Sequence, residues 1–218
     1  MSAVLNGVFI NGQWQAGHEV LEVINPATEA TLAHVSVGDA SAVELAVDAA
    51  SAAFVDWSKS SGRDRGALLR KVAQGVSEQR EQLMQLQSSN NGKPLFEASI
   101  DVDDVIATFE YYAGICDAMD AGQDCKVALP SDDFSARMRR EPCGVVGLIV
   151  PWNFPMVTTA WKLAPALAAG CCVVLKPSEV TPLAELQLAR IIAEAGFPAG
   201  VFNLVCGTGL AAVSYTLL

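Results

Sequence analysis

The sequence predicts an α/β fold whose core is an incomplete, Rossmann-like parallel sheet, preceded by N-terminal helices. Three apolar runs, at 145–150, 171–175 and 201–205, read as buried strands because they contain no charged residue. Stretches with helical spacing of apolar residues, 158–168 and 183–195, lie between these runs and are joined to them by short links. This strand–helix alternation is typical of the half of a doubly wound sheet that binds a nucleotide.

Composition limits the classes of partner. The 218 residues carry a net charge of −10, with 51% hydrophobic and 17% charged residues. A chain this apolar can bury a core, and its acidity argues against nucleic acid, whose phosphates require clustered lysine and arginine. No basic, apolar leader opens the sequence, and no apolar run approaches the ~20 residues of a membrane span. We therefore expect a cytoplasmic protein with small-molecule partners and no membrane contact.

The cysteines form neither a metal-binding nor a disulfide pattern. They show no CxxC spacing, and with only His18 and His34 the chain offers no zinc ligand set. We expect six reduced thiols and no metal site. The cysteines are Cys116, Cys125, Cys143, Cys171, Cys172 and Cys206.

The N-terminal part is predicted to contain a hairpin followed by long helices. The dipeptide Asn-Gly at 11–12 is the one that a tight type I′ hairpin turn prefers, and a short strand is expected at 32–37. Asp39 is placed to cap a helix in which apolar residues recur at helical spacing. A helix over 62–88 and another over 95–119 complete this region.

The pattern changes between residues 123 and 143. Two short strands, 126–129 and 134–140, are separated by a turn of proline, serine and aspartate. In the second strand apolar and polar residues alternate, which predicts a half-exposed antiparallel pair.

Ligands of parallel α/β sheets bind at the carboxyl ends of the strands. Three loops qualify, at 151–155, 176–179 and 207–209. Asn153 lies in the first. An amide at a strand end can donate to an oxygen that gains negative charge, and losing one such donor typically costs on the order of 3 kcal/mol of transition-state stabilisation. A turn asparagine that bonds its own backbone is the alternative.

Four motifs in this half carry a specific resemblance. Residues 144–155 read GVVGLIVPWNFP and 161–170 read WKLAPALAAG; residues 175–182 read LKPSEVTP and 196–205 read GFPAGVFNLV. Together they closely resemble the aldehyde dehydrogenase superfamily, in particular its betaine-aldehyde and aminoaldehyde branch. The resemblance covers nearly the whole chain from Phe9 to Gly209. It implies the aldehyde dehydrogenase fold and NAD-dependent oxidation of an aldehyde to the carboxylic acid.

The resemblance implies catalytic roles for two residues. Asn153 would help to form the oxyanion hole for the thiohemiacetal. Lys162 resembles a lysine to which a charge-relay role is sometimes assigned, and burial beside a catalytic pocket would lower its pKa. A structural lysine that binds a carbonyl or a carboxylate is an equally good interpretation of Lys162.

The cofactor implied by the resemblance is NAD. Lys176 and Glu179 would hold the adenosine ribose, and the carboxylate would repel the 2′-phosphate of NADP. A helix-entry loop capped by Ser178 is the alternative. A glycine turn at 207–209 is too short to be a phosphate loop by itself. The full set of predicted cofactor residues is Ile149, Val150, Pro151, Trp152, Asn153, Lys176, Pro177, Ser178, Glu179 and Gly209.

The substrate prediction rests on aromatic and acidic side chains. Phe154 and Trp161 lie seven residues apart, two helical turns, so both can face one pocket, and aromatic faces attract cations. Asp101 and Asp104 resemble acidic residues at the mouth of the substrate tunnel in the same branch. We therefore expect an ω-amino or trimethylammonio aldehyde. The alternative is that the aromatic residues pack in the core and the carboxylates lie on a solvated helix face.

Some relatives bind a monovalent cation through carbonyls near residues equivalent to Ile24 and Val180. The acidic ligand expected there is Asn90 in this chain, so no metal is predicted.

The family's mechanism also needs a cysteine thiolate and a glutamate base, which relatives carry well beyond Gly209. We expect residues 1–122 to be the N-terminal part of the NAD-binding domain and 123–143 an antiparallel element through which full-length relatives form homo-oligomers. Residues 144–211 would be the nucleotide-binding half and 212–218 a tail unlike the family, as in a C-terminally truncated chain without the catalytic domain. A non-catalytic nucleotide-binding or interaction fragment is the alternative function.

Overall fold

The computed structural model describes residues 4–131 and 133–209. The strands found there are β1 (Val4–Asn6), β2 (Val8–Ile10), β3 (Gln13–Gln15), β4 (Glu19–Ile24), β5 (Thr31–Val37), β6 (Cys125–Val127), β7 (Ala136–Met138), β8 (Val145–Ile149), β9 (Cys172–Lys176) and β10 (Phe202–Val205). The helices found there are α1 (Ala40–Trp57), α2 (Gly62–Glu78), α3 (Arg80–Asn91), α4 (Leu95–Ala121), α5 (Pro155–Ala168) and α6 (Leu183–Ala195).

The central sheet has five strands in the order β3-β2-β10-β9-β8. Strands β8, β9 and β10 are parallel, with Val145 opposite Cys172 and Phe202 opposite Val173. The predicted parallel strand–helix unit is therefore confirmed. Strand β2 adds antiparallel to β10, so the N-terminal hairpin belongs to the same sheet as the later nucleotide-binding half.

The N-terminal hairpin forms as predicted. Asn11 and Gly12 both adopt positive φ, 51° and 77°, as a type I′ turn between β2 and β3 requires. The backbone amide of Asn11 donates to Oδ1 of Asn203 at 3.0 Å, and the amide of Asn203 donates to the carbonyl oxygen of Val173 at 3.2 Å. A buried asparagine in β10 thus ties the hairpin turn to β9.

Strand β9 is buried along its whole length, whereas β8 is not. Gly147 and Ile149 are exposed, and Val145 is only half-buried. The expectation that 145–150 is a buried strand is therefore wrong. The reason is that β8 is an edge strand of the sheet. It pairs with β9 on one side and with no described strand on the other.

Helices cover the sheet and pack on one another. Helix α1 contacts β8, β9 and β10, while α5 contacts β8 and β9. Helix α2 packs along α4 and also against α5 and α6. Asp39 caps α1 by accepting a hydrogen bond from the backbone amide of Ala42 at 3.2 Å, which confirms the predicted start of that helix.

The predicted helix over 62–88 is two helices. Helix α2 ends at Glu78 and α3 begins at Arg80, with Gln79 between them at φ −104° and ψ 16°. The side-chain oxygen of Gln79 accepts a hydrogen bond from Gln187 of α6 at 2.6 Å, so the break is anchored to the neighbouring helix. No glycine or proline lies at this position, so the sequence contains no local signal for the helix break.

Two smaller sheets complete the fold. Strands β1, β5 and β4 form a three-stranded sheet, of which only β5 was expected. Strands β6 and β7 pair antiparallel, as predicted, but are shorter than expected. Neither face of the pair is buried by the described chain: Met138 is exposed, and Phe134, which lies outside β7, is 75% exposed.

Candidate active site

The carboxyl ends of β8 and β9 lie side by side. The backbone amide of Val150, just after β8, donates to the carbonyl oxygen of Lys176 at 3.2 Å. Farther along, the hydroxyl of Thr181 donates to the carbonyl oxygen of Trp152 at 3.3 Å, and the amide of Asn91 donates to the same oxygen at 2.7 Å. The two loops that follow these strands are therefore bridged to each other, and we refer to them as the β8–β9 crevice (residues 149–154 and 176–181), because parallel α/β sheets bind ligands at this place.

Lys176 and Glu179 form an ion pair in this crevice. The Lys176 ammonium lies 3.0 Å from the Glu179 carboxylate and also donates to the carbonyl oxygen of Pro177 at 2.9 Å. Burial by itself would raise the pKa of Glu179, but hydrogen bonds from its own backbone amide and from Lys176 outweigh burial and hold the pKa below its ordinary value. Glu179 is therefore a carboxylate at neutral pH, and 37% of its side chain remains exposed.

Ser178 does not cap the following helix. Its hydroxyl accepts a hydrogen bond from the backbone amide of Val180 at 3.3 Å, and α6 begins only at Leu183, after Pro182. The capping alternative for this loop is thus not what the structure contains.

Four of the remaining predicted cofactor residues, Ile149 to Trp152, lie at the end of the edge strand β8. Ile149 and Trp152 are 41% and 59% exposed, Pro151 is exposed, and Val150 is buried. Gly209 follows β10, whose carboxyl end shares the sheet edge with that of the parallel strand β9. No hydrogen bond joins Gly209 to the Lys176–Glu179 pair among the described residues.

Asn153 is exposed immediately before α5, at the carboxyl end of β8. Phe154 is the N-cap residue of that helix and makes no side-chain capping bond. Within the described part of the chain, the Asn153 amide forms no hydrogen bond to its own backbone. The amide is therefore free to donate to a molecule in the crevice.

Lys162 binds a carbonyl, which is the contact expected of a structural lysine. Its ammonium lies 2.5 Å from the carbonyl oxygen of Ile149, the last residue of β8. The side chain is exposed on α5 and reaches back to the crevice. Lys162 thus fixes the end of the edge strand to the helix that follows it.

Asp101 is not at the mouth of a pocket. It is buried, and its carboxylate pairs closely with the ammonium of Lys93 and accepts a hydrogen bond from the amide of Gln87 at 2.6 Å. The same Lys93 ammonium lies 4.2 Å from the ring centroid of Phe154. The expectation that Asp101 meets substrate at a tunnel mouth is therefore wrong, and the face of Phe154 already holds a cation of this chain.

Asp104 and Trp161, in contrast, share a shallow pocket of about 290 Å³ between α4 and α5. Tyr111 and Tyr112 also line it, and their rings lie edge to face with centroids 5.2 Å apart. Sequence reasoning missed the two tyrosines. They follow Asp104 by seven and eight residues, a spacing that places all three on one face of a helix.

Two further expectations concern groups outside the crevice. The side-chain nitrogen of Asn90 donates to the carbonyl oxygen of Val180 at 3.2 Å, and its side-chain oxygen accepts from the backbone amide of Leu183 at 3.1 Å, so Asn90 binds one of the carbonyls named above. Among residues 4–131 and 133–209, no group of three metal-ligating acidic, cysteine or histidine side chains occurs.

No described helix has the length and apolar character needed to cross a membrane.

Burial determines the pKa values of the thiols nearest the sheet. It raises the pKa of Cys172 to about 12, and it also raises the pKa of Cys206, which the charge of Glu185 raises further. Neither thiol is a thiolate nucleophile at neutral pH.

Comparison with known proteins identifies a consistent group of similar chains. The sequence profile described as the aldehyde dehydrogenase family matches residues 14–216, a range that extends past Ala211, where the resemblance was expected to end. A peroxisomal aminoaldehyde dehydrogenase 2 of Pisum sativum is 46% identical over 209 residues, covering 93% of this chain and 42% of the relative. Betaine aldehyde dehydrogenase 1 of Oryza sativa subsp. japonica is 45% identical over 210 residues, with the same coverage.

Solved structures agree. Betaine aldehyde dehydrogenase from Staphylococcus aureus in complex with NAD+ superposes with a TM-score of 0.91 at 36% sequence identity, covering 95% of this chain and 42% of that one. The chain therefore spans about two fifths of the length of the relatives it matches.

Proposed function

This chain belongs to the aldehyde dehydrogenase family, and from that premise we propose that it holds NAD for the oxidation of an ω-amino or trimethylammonio aldehyde to the carboxylic acid. The observation that carries the proposal is the β8–β9 crevice, where the ends of two adjacent strands are bridged by the bond from Val150 to Lys176. Because the chain covers only 42% of its relatives, the complete activity is proposed for the parent enzyme.

The side chains of the crevice fit this cofactor. Glu179 offers a charged, partly exposed carboxylate that can accept hydrogen bonds from the ribose hydroxyls, and Lys176 offers an ammonium beside it. The same carboxylate would repel a 2′-phosphate, which favours NAD over NADP. Ile149 and Trp152 provide exposed apolar surface on the edge-strand side of the crevice, suited to the nicotinamide ring.

Calorimetric titration of the chain with NAD and with NADP tests this proposal. We expect NAD to bind and NADP to bind at least about tenfold more weakly, a difference of about 1.4 kcal/mol. A chain that binds neither dinucleotide, or that prefers NADP, contradicts the assignment of the Lys176–Glu179 pair. Binding without any turnover of betaine aldehyde would identify this chain as a nucleotide-binding fragment of the enzyme.

In the parent enzyme, NAD when bound supplies the acceptor for the hydride that leaves the substrate. The residues of this chain position the groups of the site and stabilise the charge that develops on the substrate. The Asn153 amide is free to donate to the substrate oxygen as that oxygen gains negative charge, where a fixed donor lowers the barrier. Lys162 holds the Ile149 carbonyl and so positions the strand end from which Asn153 follows.

The pocket between α4 and α5 supports the cationic substrate class. Asp104 contributes a carboxylate, and Trp161, Tyr111 and Tyr112 contribute aromatic surface, the combination that binds ammonium and trimethylammonium groups. Phe154 is engaged by Lys93 and contributes less to this proposal than its sequence position implied.

Choline is a suitable probe for that pocket, with its neutral isostere 3,3-dimethylbutanol as reference. We expect choline to shift the NMR or fluorescence signal of Trp161 and the isostere to bind more weakly. Trp161→Ala and Asp104→Asn should each weaken choline binding, whereas Glu97→Gln, an exposed carboxylate in the first turn of α4, should leave it unchanged. Equal binding of choline and the neutral alcohol would remove the support for a cationic substrate.

We also propose that the parent enzyme is a homo-oligomer that pairs through residues 123–143. The exposure of Phe134 and Met138, and of both faces of the β6–β7 pair, supports such an interface. We also propose a cytoplasmic location, although a relative in Pisum sativum is named as peroxisomal. Fractionation of cells that produce the protein distinguishes the two compartments.

A further inference from the structure

Two thiols meet at the amino ends of β8 and β9, at the opposite end of these strands from the crevice. The sulfur atoms of Cys143 and Cys171 lie 3.6 Å apart, although 28 residues separate them in sequence. Cys143 is exposed and Cys171 is buried. We refer to these residues as the cysteine pair.

The backbone holds the cysteine pair together. Next to Cys143, the carbonyl oxygen of Gly144 accepts a hydrogen bond from the backbone amide of Cys172 at 3.1 Å, which fixes the two strand starts in register. The backbone of Cys171 is fixed on both sides: its amide donates to the carbonyl oxygen of Ala166 at 2.9 Å, and its carbonyl accepts from the indole of Trp57 at 3.1 Å. The approach of the two sulfurs therefore follows from strand pairing.

The two thiols differ in access. Cys143 is open to solvent, and its neighbour Pro142 lines a groove of about 1080 Å³. Burial raises the pKa of Cys171, so that thiol stays protonated and does not react first. An accessible sulfur beside a shielded one is the arrangement in which an oxidised first cysteine is resolved by a second.

We propose that Cys143 and Cys171 form a reversible disulfide when the protein meets a peroxide. The Cys143 thiolate attacks a peroxide oxygen, the O–O bond breaks, and Cys143 becomes a sulfenic acid as hydroxide leaves. Cys171 then loses its proton and attacks the Cys143 sulfur; the S–S bond forms and a second hydroxide leaves. The two thiols lose two electrons in total, and hydrogen peroxide is reduced to two molecules of water.

The change in geometry is small. A disulfide bond is about 2.05 Å long, so the sulfurs must approach by roughly 1.5 Å. The exposed link before β8 can supply this movement, since Cys143 precedes the first paired residue of the strand, Val145. A dithiol reductant reverses the reaction by thiol–disulfide exchange.

Peptide mapping of the full chain tests the proposal. The reduced chain is treated with one equivalent of hydrogen peroxide, the remaining thiols are alkylated under denaturing conditions, and the digest is analysed without reduction. We expect a linked peptide containing Cys143 and Cys171, lighter by two hydrogen atoms, and at least a tenfold loss of alkylation at both positions. Dithiothreitol should restore alkylation.

Three variants separate this site from general thiol oxidation. Cys143→Ser should abolish the linked peptide, and because residue 143 is exposed this change does not disturb packing. Cys171→Ser should leave Cys143 as a sulfenic acid that dimedone traps. Cys125→Ser removes the other exposed thiol and should leave the linked peptide unchanged.

The proposal is overturned if the peroxide converts Cys143 to higher acids while Cys171 stays fully alkylatable. It is also overturned if Cys125 enters linked peptides as readily as the cysteine pair. Neither outcome depends on NAD binding, so the proposed function and this inference are tested separately.

Discussion

Two consecutive strand–helix units of this molecule share one pattern, an apolar strand followed by a helix, but have different surroundings. The first unit, β8 and α5, lies at the sheet edge and exposes Ile149, Trp161 and Lys162. The second unit, β9 and α6, lies between its neighbours and buries every residue of its strand. The buried residues of the second unit include two with ionisable side chains, Lys176 and Glu185.

This difference in burial suggests a different role for each unit in the β8–β9 crevice. In the proposed function the exposed unit presents groups to a ligand, among them the Asn153 amide, and these groups need few contacts with the rest of the chain. The buried unit fixes the crevice, because the Lys176 carbonyl binds Val150 and the Lys176 ammonium binds Glu179. We infer that substitutions in the buried unit affect stability most, and that substitutions in the exposed unit affect ligands more than stability.

The largest effect is expected from matched truncations of the two strands. Leu175 in β9 is 1% exposed and Ile149 in β8 is 41% exposed. Leu175→Ala should lower the free energy of unfolding by about 3 to 4 kcal/mol, and Ile149→Ala by less than about 1 kcal/mol, because only the first leaves a cavity. Urea denaturation followed by circular dichroism measures both. Equal losses would show that β8 is as well packed as β9.

The second prediction concerns Glu185, whose carboxylate is fully buried in the first turn of α6, where no other residue hydrogen-bonds either oxygen. Burial raises the pKa of Glu185 to about 8. Between pH 4.5 and 8 the folded chain therefore keeps a proton that the unfolded chain has released, so stability falls as the pH rises through this range and levels off above it.

The Glu185→Gln variant removes that titration. Relative to the variant, the unsubstituted chain should lose about 2 to 3 kcal/mol of stability between pH 5 and pH 7.5, as measured by denaturation at each pH. Glu194→Gln, an exposed position on the same helix, is the matched control and should follow the unsubstituted chain. Parallel pH curves for the Glu185→Gln and unsubstituted chains would mean that the carboxyl is solvated.

The third prediction moves from stability to binding. Glu179→Gln should weaken NAD binding about tenfold, or about 1.4 kcal/mol, and reduce the discrimination against NADP, because the charge that opposes a 2′-phosphate is gone. Calorimetric titration with both dinucleotides provides the measurement. Glu141→Gln, an exposed carboxylate before the amino end of β8, should change neither affinity. An unchanged NAD-to-NADP ratio in Glu179→Gln would remove Glu179 from the ribose site.

Elements whose limits depend on local chemistry were predictable from the sequence. Helix α6 has the predicted bounds, with Pro182 before it and Gly196 after it in a left-handed conformation. The Asp39 cap and the hairpin turn at 11–12 are of the same kind. The edge position of β8 was not predictable, because an apolar run does not state how many strands pair with it. The break at Gln79 depends on a contact with α6 and has no local signal.

The candidate site divides in the same way. The motif residues of the crevice lie together because parallel strands present their carboxyl ends at one edge of the sheet. Asp101 was misplaced because its burial depends on Gln87 and Lys93, which the packing of α3 against α4 brings to it. Its spacing from Asp104 carried no information on those partners.

The smallest expected effects come from one substitution made in both units. Lys176→Met removes a buried ammonium and leaves the partly exposed Glu179 carboxylate without its partner, which should cost about 1 kcal/mol after solvent screening is taken into account. Lys162→Met removes only an exposed bond to the Ile149 carbonyl and should cost about 0.5 kcal/mol or less. Thermal unfolding of the two variants side by side resolves the order. If Lys162→Met proves the more destabilising, the edge strand depends on its helix for stability, and the division between an exposed, ligand-presenting unit and a buried, fixing unit does not hold.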